Sequence, residues 1–222
     1  MYYDNHVRFE GFEEAIKIAK TLGWSGVVLI HKWDSVLKPR NGKGIISGAE
    51  ISGNPDYVRR TAQKIRSKFD VICVRGGDLL VNREAVENPL VDMLIQPWGD
   101  PITCLRNDPG LNYVMIKLAK KNNVFIDFSL NDLIKSHKRT RVKLFSHMTK
   151  AAKLVRKYHA PFTLSSGALS RWDMRAPSDL KSFGKVLGFE DAEIKKAMSD
   201  VIVKENKKRI SSRWIQPGIE LV

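Results

Sequence analysis

The sequence predicts an α/β fold: a TIM-like β/α barrel of about seven parallel strands, with extra helices toward the C-terminal end. Three observations predict it. Short apolar runs alternate with amphipathic helical patterns along most of the chain. The runs begin every 18 to 38 residues, the spacing of a repeated βα unit that builds a parallel sheet with helices outside. No Gly-x-Gly-x-x-Gly or Walker loop follows the first run, which disfavours the runner-up, a doubly wound nucleotide-binding sheet. At 222 residues and 43% hydrophobic, the chain is long enough for a full core. Residues 1–222 therefore read as a single barrel domain.

The elements follow in order. Met1–Asp4 is the first strand and runs into Asn5-His6. Glu10–Leu22 has helical periodicity. Gly26–Ile30 is the second strand, followed by His31 and by the loop Lys32–Lys43, which carries Lys38, Arg40 and Lys43. Gly44–Ile51 is the third strand. Asn54-Pro55-Asp56 supplies a turn, an N-cap and an early proline for the helix Pro55–Lys68. Val71–Val74 contains Cys73, which reads as a small core residue. It ends at Arg75-Gly76-Gly77-Asp78, where two glycines let the backbone turn sharply or approach a ligand. Asp78 reads as the N-cap of the helix Leu79–Val86. Val91–Ile95 is the fifth strand. Asn107-Asp108-Pro109-Gly110 is a turn, with Asp108 the expected cap of the helix Leu111–Lys121. Val124–Phe128 is the sixth strand. Asp92 and Asp127, both in strands, are expected to pair with arginines. After the helix Arg141–Tyr158, the strand Phe162–Ser165 ends in Ser165-Ser166-Gly167-Ala168. That segment reads as a tight strand-to-helix connection whose hydroxyls cap backbone or touch a phosphate. Ser178–Leu187, Ala192–Asp200 and Val203–Arg209 are helical patterns.

Charge is unevenly spread. The chain has 38 Lys and Arg against 24 Asp and Glu, a net charge of +14. Residues 1–130 hold 18 cations and 15 acids, or +3, while residues 131–222 hold 20 and 9, or +11. The forty residues from Leu133 to Trp172 contain ten cations and no acid. Mixed signs keep a surface neutral, so a one-sign face points to a partner of opposite charge. Within that stretch Leu144, Phe145, Met148, Ala151, Ala152, Val155 and Tyr158 form one helical stripe, and Lys143, Lys150, Lys153 and Lys157 fall on the far side. Lys138 and Arg139 precede the helix and Arg141 opens it, adding charge to a helix end that already favours phosphate. The bland alternative is a solvated basic face. The tail Lys204–Trp214 is also basic. Nucleic acid is the first expectation for a partner and an anionic membrane the second. No apolar run approaches the ~20 residues of a span, and no signal peptide is present, so no membrane is expected. Cys73 and Cys104 are too few for a disulfide framework or zinc site, and an intracellular, cytoplasmic location is expected.

Catalytic chemistry is thin in the sequence. His6 and His31 near strand ends, with Asp4 and Asp78, could bind a metal. The other three histidines sit on or beside helices, and the set is too small for a two-metal site. Ser165-Ser166-Gly167 is not a nucleophile elbow. Arg171-Trp172-Asp173-Met174-Arg175 sets two arginines beside an aromatic on which RNA can stack. The alternative there is an internal Arg–Asp pair with the tryptophan packed inside.

The ordered set Gly76-Gly77-Asp78, Asn82-Arg83, Ala85, Asp92, Arg141, Ser165-Ser166-Gly167-Ala168, Trp172-Asp173-Met174-Arg175 and Ala176-Pro177 runs through most of the chain. By it the chain resembles the barrel-shaped protein subunits of ribonuclease P, component 3 in archaea. The resemblance implies a barrel related to the polymerase-and-histidinol-phosphatase (PHP) group, with its metal cluster lost and Asp4-Asn5-His6 a remnant. It implies an enzyme role only within the holoenzyme, the endoribonuclease that removes the 5′ leader of precursor tRNA. The RNA subunit would do the chemistry with magnesium, and this chain would bind no cofactor of its own. The implied partners are the ribonuclease P RNA, a small ferredoxin-like protein subunit and other subunits, with precursor tRNA contacted indirectly.

Lys138, Arg139, Arg141, Lys143, Arg171 and Arg175 are the first candidates for RNA contacts. Arg75, Arg83, Arg106, Lys38, Arg40 and Lys43 are the second, with Arg75 and Arg83 also candidates for internal pairs. The rival readings are a metal-dependent phosphoesterase acting through the rim at His6 and His31, and a protein-binding platform. The Leu79–Val86 region is one candidate surface for a protein partner.

Overall fold

The computed structural model describes residues 1–8, 11–36, 38–39, 44–100, 102, 104–199, 214–216 and 219–220. Seven parallel strands stand in sequence order: β1 (Tyr3–Val7), β2 (Gly26–Lys32), β3 (Ile45–Ile51), β4 (Val71–Arg75), β5 (Met93–Ile95), β8 (Phe125–Ser129) and β9 (Phe162–Ser165). A doubly wound sheet would reverse that order at a switch point. Instead Val7 bridges Ala168, just past β9, and the Arg8 N–H donates to the Ala168 carbonyl at 2.7 Å. The first and last strands therefore meet, and the sheet is a nearly closed barrel.

A separate hairpin, β6 (Gly99–Asp100) with β7 (Cys104–Leu105), follows β5. Trp214–Gln216 pairs antiparallel with Ile219–Glu220. The helices are α1 (Phe12–Leu22), α2 (Pro55–Ile65), α3 (Leu79–Glu87), α4 (Tyr113–Asn122), α5 (Leu130–Lys135), α6 (Lys138–Tyr158), α7 (Pro177–Val186) and α8 (Asp191–Ala197).

Local signals account for most of the helix ends. Asn54 Oδ1 accepts from the Tyr57 N–H at 2.9 Å, with Pro55 in the first turn. Asp78 accepts from the Leu80 and Val81 N–H groups and starts α3 as expected. The α4 cap is a correction: Asn112, not Asp108, accepts from Met115. Asp108 holds the preceding turn by accepting from Gly110 at 2.7 Å. Two other boundaries move with consequence. β1 extends to Val7, so Asn5 and His6 are strand residues rather than a loop. The basic helix starts at Lys138 rather than Arg141, placing Lys138 and Arg139 in its first turn.

Alternation along the strands sorts two cores. Residues such as Ile72, Val74, Leu94, Ile126 and Leu164 face outward and pack under Val58, Ile65, Ile116, Met148 and Leu180 of the helices. Inside the barrel lies a smaller cluster: Val28, Ile30, Ile46, Val71, Cys73, Met93, Ile95 and Phe125. Burial pushes the Cys73 thiol well above its ordinary pKa, so it stays a thiol in the core. Two residues beyond Cys73 and Phe125 come Arg75 and Asp127. The interior therefore turns polar toward the C-terminal ends of the strands, where barrel sites are built.

Candidate nucleic-acid interface

The barrel mouth is closed by internal ion pairs. Glu50 on β3 is buried and accepts from two guanidinium groups. Arg75 Nε approaches it at 2.6 Å and Arg8 Nη1 at 3.2 Å. Arg75 also donates to Gln96, whose amide donates to Asp132 Oδ1 at 2.9 Å. On the opposite wall Asp127 accepts from His6 Nδ1 (2.7 Å), Thr163 Oγ1 (2.8 Å) and Ser165 Oγ (3.0 Å). Asp127 thus pairs with a histidine rather than the expected arginine. Asp92 does meet one: Arg66 donates to it and to the Leu90, Phe69 and Asp70 carbonyls. Burial raises Asp4 to a pKa of about 6 and Asp132 likewise to about 6. Each keeps one carboxylate oxygen buried without a hydrogen-bond partner.

Outside the mouth, on the side of β8 and β9, exposed cations gather on consecutive connections. α5 and α6 meet where Arg141 donates to the Ser136 and Ile134 carbonyls at the end of α5. Lys138 and Arg139, in the first turn of α6, are exposed and form no ion pair among the described residues. Lys143 donates to Asn107 at 2.8 Å, and His147 Nε2 lies 3.1 Å from the Arg106 carbonyl. The loop after β7 is thereby tied to α6. On the other side Lys135 pairs with Asp173 at 3.0 Å, tying α5 to the β9–α7 connection that carries Arg171 and Arg175. Burial raises the Asp173 carboxyl, but the bonds from Lys135 and Ser170 outweigh this and hold it below its ordinary pKa.

This path sorts the predicted contacts. Lys138, Arg139, Arg141, Lys143, Arg171 and Arg175 all lie on it. Arg106 joins it through His147 and Asn107, but its guanidinium is engaged by Asp108 (2.8 Å) and the Gly77 carbonyl (3.0 Å). That guanidinium holds Asp108 below the usual carboxylate range. Arg75 belongs to the mouth network and not to the outer face. Arg83 is exposed on α3 and pairs with Glu87 one turn away at 2.8 Å. Lys38 is exposed in the β2–β3 connection, while Arg40, Lys43 and the tail cations 204–213 lie outside the described residues. Arg171 pairs with Glu14 at 2.8 Å, and Arg175 donates to the Trp172 and Met174 carbonyls. Neither arginine takes Asp173, and Trp172 is exposed rather than packed inside. Further down α6 the charge is partly matched: Arg156 pairs with Glu190 and Glu193. Lys135, one of the ten cations of the acid-free stretch, and Arg8 were not among the candidate contacts. Glu50, an acid inside an otherwise apolar strand, was the available signal that a cation must reach the barrel interior.

The metal reading does not fit these residues. Among the described residues no group of three or more His, Cys, Asp or Glu is arranged to hold a metal ion. Glu50, the buried acid of the mouth, is taken up by the Arg8 and Arg75 guanidinium groups.

A family model described as "RNase P subunit p30" matches residues 1–211. The chain belongs to this family. The Ribonuclease P protein component 3 of Methanosarcina mazei is 34% identical over 95% of this chain and 89% of its own length. That of Methanococcoides burtonii is 36% identical over 94% and 87%. A chain in the cryo-EM structure of archaeal ribonuclease P with mature tRNA superposes with a TM-score of 0.80 at 25% identity, covering 98% of this chain and 97% of that one. A histidinol phosphate phosphatase from Lactococcus lactis, crystallised with zinc, shares the fold alone, with a TM-score of 0.54 and 11% identity over 85% of this chain and 94% of that one. Within the p30 family, then, this chain carries a β/α barrel whose mouth is filled by Arg8, Arg75 and Glu50.

Proposed function

We propose that this subunit of ribonuclease P serves the removal of the 5′ leader from precursor tRNA by holding the folded RNA subunit against its basic face. The observation that carries this reading is the run of cations from Lys135 to Arg175, joined across three connections by Lys135–Asp173, Arg141–Ser136 and Lys143–Asn107. Compact RNA has a deep, narrow major groove, so its phosphate backbone and shape are the accessible features. Cations spaced along a folded surface suit that target, giving affinity and orientation without reading sequence. The hydrolysis, with its magnesium ions, belongs to the RNA. A small ferredoxin-like protein subunit shares the assembly, and the complex works in the cytoplasm.

Reconstitution tests the reading. Precursor-tRNA cleavage by the RNA, the small protein subunit and this chain is expected at lower magnesium than cleavage by the RNA alone. The variant Lys138→Ala/Arg139→Ala/Lys143→Ala is expected to restore the high requirement. An unchanged magnesium requirement, or cleavage by the isolated chain, contradicts it.

A further inference from the structure

We infer that Trp172 is a stacking platform for one unpaired base of the bound RNA; the inference rests on the RNA-facing reading above and adds to it a contact that charge alone does not supply. Trp172 is 74% exposed, whereas Trp24 and Trp98 are 3% and 0% exposed. Leaving so large an apolar ring in water forgoes the stabilisation that its burial brings.

The ring is nevertheless held on an ordered turn. Asp173 N–H donates to the Ser170 carbonyl (3.0 Å), and Ser170 Oγ donates to the Asp173 carboxylate (2.9 Å). Lys135 fixes the same carboxylate from α5. Arg175 Nη1 donates to the Trp172 carbonyl (2.9 Å), and the buried Trp24 indole donates to the Arg175 carbonyl (2.8 Å). The indole is therefore presented at low ordering cost, the condition under which a contact adds to affinity.

Its neighbours specify the ligand. The Arg171 guanidinium lies 4.5 Å from the ring centroid and is anchored at its far end by Glu14. An arginine over an indole is a cation–π pair, and Arg175 beside it bonds only carbonyl oxygens among the described residues, so its charge is left for a phosphate. The nearby acids are engaged: Asp173 by Lys135 and Glu14 by Arg171. A planar, electron-rich ring attached to a phosphate matches this surface, and an unpaired nucleotide is such a group. An apolar protein segment would satisfy the ring but offer no counter-charge to Arg175, which meets no acid among the described residues.

The test is equilibrium binding of the full chain to ribonuclease P RNA over a salt series. It compares the native protein with Trp172→Ala, Trp172→Phe and Lys138→Ala/Arg139→Ala. Trp172→Ala is expected to weaken binding roughly 5- to 150-fold at every salt concentration with an unchanged salt slope. Trp172→Phe is expected to recover most of the loss. The double charge variant is expected to flatten the slope instead. With 5-fluorotryptophan incorporated, the ¹⁹F line that disappears in Trp172→Phe is expected to shift when RNA is added. Native affinity in Trp172→Ala overturns the inference, as does an unmoved ¹⁹F line; either leaves the basic-face reading standing if the charge variant still flattens the slope. Trp172→Ala that keeps RNA binding but loses the protein partner also overturns it. A native protein with no salt dependence overturns both.

Discussion

Arg75 and Arg139 carry the same side chain in opposite settings. Arg75 sits at the barrel mouth with Glu50 and Gln96 around it, while Arg139 projects from the first turn of α6. The first is committed to holding the fold together. The second is open to a partner. The difference teaches that a basic composition overstates a basic surface. Among the described residues every arginine before Leu133 except Arg60 pairs with an acid, whereas Arg139, Arg141 and Arg175 after it do not. A second lesson lies in the mouth itself. Two guanidinium groups converge on Glu50 at the end of the barrel where related folds build sites, so that end of this barrel is an internal salt bridge.

The comparison breaks most sharply at Glu50. Glu50→Ala removes the shared partner of Arg8 and Arg75, leaving two partly buried cations. It is expected to cost about 3–5 kcal/mol in denaturant unfolding. A loss no larger than that of an average surface change would mean that the mouth arginines are as open as those on α6.

Asp132→Asn probes the same network through pH. The folded pKa of Asp132 is raised to about 6 from 3.8, so between those values the native state binds more protons than the unfolded chain. Stability therefore falls as pH rises through that window and is level above it. The asparagine has no such titration. The variant is expected to be more stable than the native protein above pH 6, by roughly 1–3 kcal/mol. The gap should close as pH falls toward the ordinary carboxylate value. Parallel stability curves for the two proteins from acid to neutral pH would contradict this.

The smallest effect is expected at Arg83. Its pair with Glu87 is exposed and one helical turn long, worth about 0.3–0.5 kcal/mol. Arg83→Ala should leave unfolding nearly unchanged and RNA binding within about a factor of two, since it lies off the α5–α6 path. A large loss of RNA affinity would extend the interface onto α3.

Much of the fold was legible in the sequence because it rests on local signals. The βα spacing, the Asn54 and Asp78 caps and the stripe from Leu144 to Tyr158 each need only a few residues to be recognised. α5 was missed because six residues, Leu130–Lys135, are too few to display a helical period. The hairpin Gly99–Leu105 was missed because its strands are two residues each. The start of α6 was misplaced because Lys138 and Arg139 add charge but no apolar contact to the periodic stripe. The site was half legible. Charge asymmetry pointed to α6, but only the fold could separate Arg75 from Arg139. That distinction depends on Glu50, Gln96 and Arg8, which meet Arg75 or each other across the barrel at long sequence separation.

The central claim is that the exposed cations of α6, and not the arginines of the barrel mouth, hold the RNA. The salt dependence of RNA binding tests it most directly, measured for the native protein and for Lys138→Ala/Arg139→Ala/Lys143→Ala. The account predicts a steep native slope that falls by about two to three in the variant, with the unfolding transition unchanged. A variant slope equal to the native one, in a protein that still folds, would contradict it.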